Sequence, residues 1–200
     1  MVIGLTGPNA AGKGEAAEIL RALDFSVHSL SDVVREAASA LGRGHDRDTL
    51  IHVGRELRRL HGPGILAERI LPRLGDRSVV DSIRHPEEVR VLRERGDFCL
   101  VGVDAPLETR WQRAWRRGRS GDGGDIDDFR RKERRENEDR LESQQLRRTL
   151  DLADIVLVND GSLGRLQRRL ETLVEKLEID STAGRGRRAG ARPSDDACED

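Results

Sequence analysis

The chain opens on Met-Val-Ile-Gly-Leu-Thr and runs directly into Gly7-Pro-Asn9-Ala10-Ala11-Gly12-Lys13-Gly14-Glu15, an apolar strand feeding the spacing Gly-x4-Gly-Lys. Val2, Ile3 and Leu5 suit a strand buried on both faces, and the helical pattern from Glu15 to Leu23 places the positive end of a helix dipole behind the turn. Glycines let the intervening amides point inward, so the stretch reads as a phosphate-binding loop, with the backbone from Gly7 through Asn9, Ala10, Ala11, Gly12, Gly14 and Glu15 around a polyphosphate. Lys13 is one of three lysines, with Lys132 and Lys176, among 36 basic residues, and it falls where the loop needs a compact ammonium. The position after it, which often carries a magnesium-binding hydroxyl, is Gly14, and Glu15 supplies no hydroxyl either.

A length of 200 residues accommodates one well-buried α/β core with small insertions, not two independent domains. Acidic and basic residues nearly cancel, to a net charge of −1, so anions must be recognised locally and not by bulk attraction. Small-molecule partners are expected, with no nucleic acid, no membrane and a monomer or weak dimer. Cys99 lies in an apolar run and Cys198 in a polar tail, which reads as reduced thiols. With no basic leader, no apolar signal core and no long apolar run, a cytoplasmic setting is expected. His28, His45, His52, His61 and His85 lack ligand spacing with cysteine or carboxylate, so no zinc site is expected.

Further along, Phe25 to His28 reads as a strand, and Ser29 or Ser31 caps a helix over Asp32 to Leu41. A helix over Thr49 to His61 stops at Gly62-Pro63-Gly64, and Ile65 to Leu74 continues in helical spacing. Arg77 to Asp81 is a strand ending in a carboxylate, followed by a helix that starts at Pro86 and runs to about Arg95. Phe98 to Val103 and Ile155 to Val158 complete five strands alternating with helices, which implies a parallel sheet. Arg110 to Arg148, rich in arginine and broken by Ser120-Gly121-Asp-Gly123-Gly124-Asp125, reads as helix, hinge, helix. Mobile arginines beside a phosphate loop suit a closing lid over about 116–140, while the Glu/Arg interleaving also fits solvated ion pairs. The domain spans 1–179, and 180–200 composes a disordered tail.

Asp81 closes an apolar strand, and strand ends in an open parallel sheet face the ligand crevice, so it is positioned to hold magnesium through water. Capping the helix beyond Ile83 is its competing role, and Asp104 is a weaker candidate for the metal duty. Arg55, Arg58 and Arg59 share one helical turn; a solvated face and, for Arg58, contact with an acceptor are both open. Trp111 and Trp115 share a face and suit packing more than base stacking.

Taken together, these motifs resemble the nucleoside monophosphate kinases of the P-loop NTPase class over residues 1 to about 178. The loop is similar to the adenylate kinase version, in which Gly follows the lysine. Ser29-Leu-Ser31-Asp32-Val-Val-Arg35 is similar to the start of the family's monophosphate-binding helix, and Asp81-Ser82-Ile-Arg84 to its Asp-Gly-Phe-Pro-Arg stretch. Arg113-Ala-Trp-Arg-Arg117-Gly-Arg119 resembles the arginines that enter the lid, and Ala153 to Gly161 resembles the last strand and turn of dephospho-coenzyme A kinases. With His61-Gly-Pro-Gly64, the combination is most similar to a loosely defined branch of the class labelled AAA-family or dephospho-coenzyme A kinase-like.

That resemblance implies an α/β P-loop NTPase fold, a five-stranded parallel sheet flanked by helices with an arginine-rich lid. It implies ATP and Mg2+ as cofactors and an ATP-dependent kinase acting on a nucleotide-like acceptor, a nucleoside or deoxynucleoside monophosphate. Lys13, Asp81, Arg113 and Arg117 would be catalytic. Arg113, Arg117, Arg119, Asn159 and Gly161 would join the loop in binding ATP, and Ser31, Asp32, Arg35, Arg58 and Arg84 would hold the acceptor. Dephospho-coenzyme A is the alternative acceptor, and a regulatory ATPase without a small-molecule acceptor is the alternative from another class.

Overall fold

Strand β1 (Val2–Thr6) is buried along its whole length, and its side chains divide between two apolar cores. Val2 joins one core while Ile3 and Leu5 join the other, the two-residue alternation of a strand that must be apolar on both faces. That demand puts β1 in the middle of a parallel sheet ordered β2-β3-β1-β4-β5, with β2 (Ser26–Ser29), β3 (Ser78–Asp81), β4 (Phe98–Asp104) and β5 (Ile155–Val158). Register pairs Val2 with Ser78 on one side and with Phe98 on the other. This computed structural model describes residues 1–118, 124–135 and 143–189, with side chains as far as residue 180.

Helices cover both faces. α1 (Lys13–Ala22) packs Ala16, Ala17 and Leu20 beside Leu166, Leu170 and Val174 of α9 (Leu163–Ala189), against Val79, Val101 and Val103 of the sheet. On the opposite face, α2 (Leu30–Ala40), α3 (Arg47–His61), α4 (Ile65–Ile70) and α5 (Pro86–Arg93) bury Val33, Val53, Leu66 and Leu92 against Val80 and Leu100. Serine 29 caps α2 by accepting from the Ser31 amide, and the helix begins at Leu30, ahead of the Asp32 expected from sequence. The expected five-stranded α/β sheet flanked by helices is the observed fold.

The arginine-rich stretch departs from the expected helix, hinge, helix. It forms α6 (Leu107–Arg117), α7 (Ile126–Arg135) and a separate α8 (Leu146–Asp151). Helix α8 belongs to the core, because Leu146 and Thr149 bury themselves and Leu150 packs over Gly102. Gly118, at φ 65, ends α6 in a left-handed cap. Of the remaining hinge, Ser120, Gly121 and Gly123 lie outside the described residues, as do Arg119 and residues 136–142. Helices α6 and α7 are joined by the Arg110–Glu133 ion pair and by Trp111 against Phe129, at a centroid distance of 5.9 Å. Trp115 packs on Trp111 at a centroid distance of 5.5 Å, as their shared face suggests, while the rest of its ring stays exposed. Arg130, Arg131 and Lys132 pair with Asp127 and Asp128 on the solvent face.

Helix α9 extends to Ala189, inside the stretch whose composition suggested a disordered tail, and residues 190–200, with Cys198, lie outside the described residues. Cys99 is a half-buried free thiol, its pKa pushed up to about 11 by burial and then by the Asp154 carboxylate. Among the described residues no helix is long and apolar enough to cross a membrane.

Candidate nucleotide-binding cleft

The turn between β1 and α1 is built from backbone geometry. Gly12 is the N-cap of α1 at φ 111 and offers no side-chain cap, which leaves the first amides of the helix for an anion. Gly7 stands at φ 131, and a Cβ there would lie 2.0 Å from the Val103 carbonyl oxygen. A Cβ on Gly12 would lie 2.2 Å from Asn159 Nδ2. Both positions therefore admit only glycine. Lys13 Nζ donates to the carbonyls of Gly7 at 2.7 Å and Pro8 at 2.9 Å, which holds the ammonium across the mouth of the turn.

The back of the loop is tied down from two directions. Asn159, buried at the end of β5, donates from Nδ2 to the Ala11 carbonyl at 2.9 Å. Arg113 donates to the same carbonyl at 3.3 Å and to the Asn159 carbonyl at 3.0 Å, and Arg117 reaches Asn9 Oδ1 at 3.1 Å. Gly161 lies just beyond β5, in the same turn as Asn159.

At the end of β3, Asp81 Oδ2 accepts from Ser82 Oγ at 3.2 Å, while Oδ1 is buried without a hydrogen-bond partner. Helix α5 is capped by His85, so Asp81 has no capping role. Asp104 Oδ1 accepts from the Ala105 amide at 2.7 Å. The Thr6 hydroxyl donates to the Ile83 carbonyl at 2.9 Å, and Gly14 carries no side chain. Among the described residues Asp81 Oδ1 is the one carboxylate oxygen buried without a hydrogen-bond partner, and it is the oxygen that would hold a magnesium ion through water; the residues fit an outer-sphere site. Among the described residues no group of three or more His, Cys, Asp or Glu side chains clusters as a metal site.

Facing the loop, α2 contributes Ser31 and Arg35 to the cleft. Asp32 turns away from it, exposed and paired to Arg35 at 2.5 Å. Arg58 is buried, so it is no part of a solvated face: its Nη2 donates to Glu88 Oε1 at 2.8 Å, and Glu88 is fully buried. The second Glu88 oxygen accepts the backbone amides of Arg84 at 2.8 Å and His85 at 3.0 Å, within a capping box. Arg84 in turn donates to Gln144 Oε1 at 3.0 Å, and its carbonyl accepts from the Gln145 amide at 2.9 Å.

The loop and this arginine-bearing wall enclose one cleft of about 440 Å³, into which Lys13, Arg35, Arg58, Arg84 and Arg117 all face. Leu30, Val34, Leu50 and Leu146 supply its apolar side. Glu88, Gln144, His45 and Arg47 were not singled out from sequence. The His-Pro-Glu-Glu start of α5 is the local signal for Glu88, but its partner Arg58 stands thirty positions earlier and no spacing connects them.

No family model matches the chain. It is 33% identical over 184 residues to a UPF0200/UPF0201 protein of Archaeoglobus fulgidus, covering 88% of this chain and 55% of that protein, so it spans about half the length of that relative. A UPF0200 protein of Hyperthermus butylicus is 32% identical over 181 residues, covering 88% and 95%. Among solved structures, TT1252 from Thermus thermophilus superposes with TM-score 0.60 at 24% identity, covering 88% and 97%. A shikimate kinase from Bacteroides thetaiotaomicron superposes at 0.56 and 13% identity, covering 88% and 98%. The shared architecture is that of the P-loop kinases.

Proposed function

The chain belongs to the UPF0200 family and has a P-loop kinase fold, and from that premise we propose an ATP-dependent kinase that transfers the γ-phosphoryl group to a nucleoside or deoxynucleoside monophosphate. The observation that carries this reading is the single cleft in which the Lys13 loop faces an arginine-rich, partly apolar wall. Its volume lies in the range of small-ligand sites, roughly 300–1,000 Å³. Arginines suit a phosphate and the apolar side suits a base.

In this reading the loop amides and Lys13 hold the donor's β- and γ-phosphates, and Asp81 holds magnesium through water. Magnesium, when bound, neutralises charge on the phosphate oxygens. Arg84, Arg35 and the fixed guanidinium of Arg58 orient the acceptor phosphate. Arg113 and Arg117, already bonded to the loop and to the turn after β5, line the donor side, with Arg119, which lies outside the described residues, as a further lid arginine. Catalysis is then positioning and charge stabilisation, with no protein nucleophile.

The Asp46 and Asp32 carboxylates support a phosphate over an alcohol as acceptor. An alcohol acceptor such as dephospho-coenzyme A needs a base at its hydroxyl, whereas a phosphate oxygen is already anionic. Asp46 lines the cleft, but both its oxygens accept from Thr49, at 2.9 and 2.5 Å, and this holds its carboxyl below the usual range. Asp32 is bound to Arg35 outside the cleft. A phosphate acceptor is therefore favoured.

The test is ATP consumption with magnesium against a panel of nucleoside monophosphates, deoxynucleoside monophosphates and dephospho-coenzyme A, beside Lys13→Ala. Monophosphate-dependent turnover lost in the variant is the expected result. Turnover with dephospho-coenzyme A alone moves the assignment to that substrate, and ATP binding that no acceptor converts to turnover leaves a regulatory ATPase.

A further inference from the structure

Three hydrogen bonds run in one direction from the start of α2 to the carboxylate at the end of β3. The Ser31 amide donates to Ser29 Oγ at 3.3 Å, Ser29 Oγ donates to Ser82 Oγ at 3.3 Å, and Ser82 Oγ donates to Asp81 Oδ2 at 3.2 Å. The chain ends on one oxygen of Asp81 and leaves the other, Oδ1, buried and without a partner. Ser82 keeps this place at a cost, because it sits at φ 65, in the left-handed region that glycine enters without strain. The Ser82 hydroxyl donates to Oδ2 while Oδ1 has no partner, so this bond sets the turn of the Asp81 carboxylate about its last side-chain bond.

We propose that Ser82 is a positioning residue: its hydroxyl fixes Asp81 so that Oδ1 faces the magnesium-bound water, and Ser29 relays that orientation from the N-terminus of the acceptor-side helix. The inference rests on the kinase reading for its biological role but concerns metal binding alone. A carboxylate locked in one orientation binds the hydrated ion without first being ordered, so the serine acts on magnesium affinity and not on the nucleotide itself. The direct link to the cap of α2 also makes the metal end of the site and the acceptor helix one hydrogen-bonded unit.

The experiment measures ATP affinity by competition with a fluorescent ATP analogue, once with saturating magnesium and once with EDTA, for the parent chain, Ser82→Gly, Ser82→Ala and Ser29→Ala. Melting temperature is recorded for each. The expected result is that both Ser82 variants lose about tenfold of the magnesium-dependent gain in ATP affinity, in the range seen when outer-shell partners of metal ligands are removed. Their affinity in EDTA stays within about twofold. Ser29→Ala loses less, because Ser82 still donates to Asp81. Ser82→Gly should also melt higher than the parent, since it relieves the left-handed backbone; a gain in stability with a loss of magnesium response is a pattern that a merely structural serine does not produce. Variants that keep the full magnesium response overturn the proposal, as does a parent whose ATP affinity ignores magnesium. A magnesium response sensitive to Ser82 in a protein that turns over no acceptor would sink the kinase reading and leave this one standing.

Discussion

The turn after β1 and the turn after β3 leave neighbouring strands at the same end of the sheet, and Thr6 hydrogen-bonds across to Ile83 to tie them together. They are held in different ways. The first is shaped by main-chain conformation, with Gly7 and Gly12 at positive φ and pressed against Val103 and Asn159. The second is held by side chains from distant parts of the chain: Glu88 gathers Arg58, Arg84 and His85, Ser82 meets Ser29, and Gln144 meets Arg84. A phosphate loop recognises groups common to every nucleotide, so backbone amides suffice. In the proposed reading the second turn is the acceptor wall, and discrimination between acceptors needs side chains whose identity can vary.

If that contrast is right, the two turns should break differently. Gly7→Ala is the change most damaging to ATP binding: its Cβ would fall 2.0 Å from a backbone oxygen that cannot move aside. A loss on the order of 3 kcal/mol is expected in denaturant unfolding, with ATP binding weakened more than about 100-fold, near 2.7 kcal/mol. A loop that accepts the alanine would remove the geometric half of the comparison.

Glu88→Ala should come next. It strands Arg58, 5% exposed, as a buried unpaired charge, a change that costs about 3–5 kcal/mol when a buried pair is broken. Arg58→Met combined with Glu88→Gln removes the buried charges but keeps an oxygen for the Arg84 and His85 amides, and should restore most of the stability, to within about 1–2 kcal/mol of the parent. Acceptor KM should stay raised in the double variant while ATP affinity is unchanged, as read by urea melts and by steady-state kinetics. An unchanged acceptor KM would reduce the pair to scaffolding.

Gly14→Ser should do least. No atom lies within 4 Å of a Cβ placed there, so stability should shift by no more than about 0.5 kcal/mol. The added hydroxyl lies where such loops often bind magnesium, so the magnesium dependence of ATP affinity should steepen. This sharpens the comparison by separating the glycines that the loop's geometry requires from the one it does not.

The same contrast accounts for what could be read in advance. The five strands, the helices between the first four of them and the loop from Gly7 to Lys13 were legible, because each is written in a local pattern of apolar spacing, glycine placement or strand-end carboxylate. Helix starts differ by a few residues, as in α2, where the Ser29 cap opens the helix at Leu30, itself the first residue of the buried face. In the arginine-rich stretch charge hides the two buried positions, Leu146 and Thr149, that make α8 part of the core, so composition there does not reveal the third helix.

By itself the sequence determined the sheet, its two apolar cores and the phosphate loop, since these depend on periodicity and on the conformations that particular residues permit. Tertiary structure alone decided which arginine is a buried partner of Glu88 and which faces solvent, why Asp32 stands outside the cleft, and how Ser29 and Ser82 reach Asp81. Those relations join residues tens of positions apart. They arise only when parallel strands bring their ends together, and no local pattern encodes a contact whose geometry the whole sheet creates.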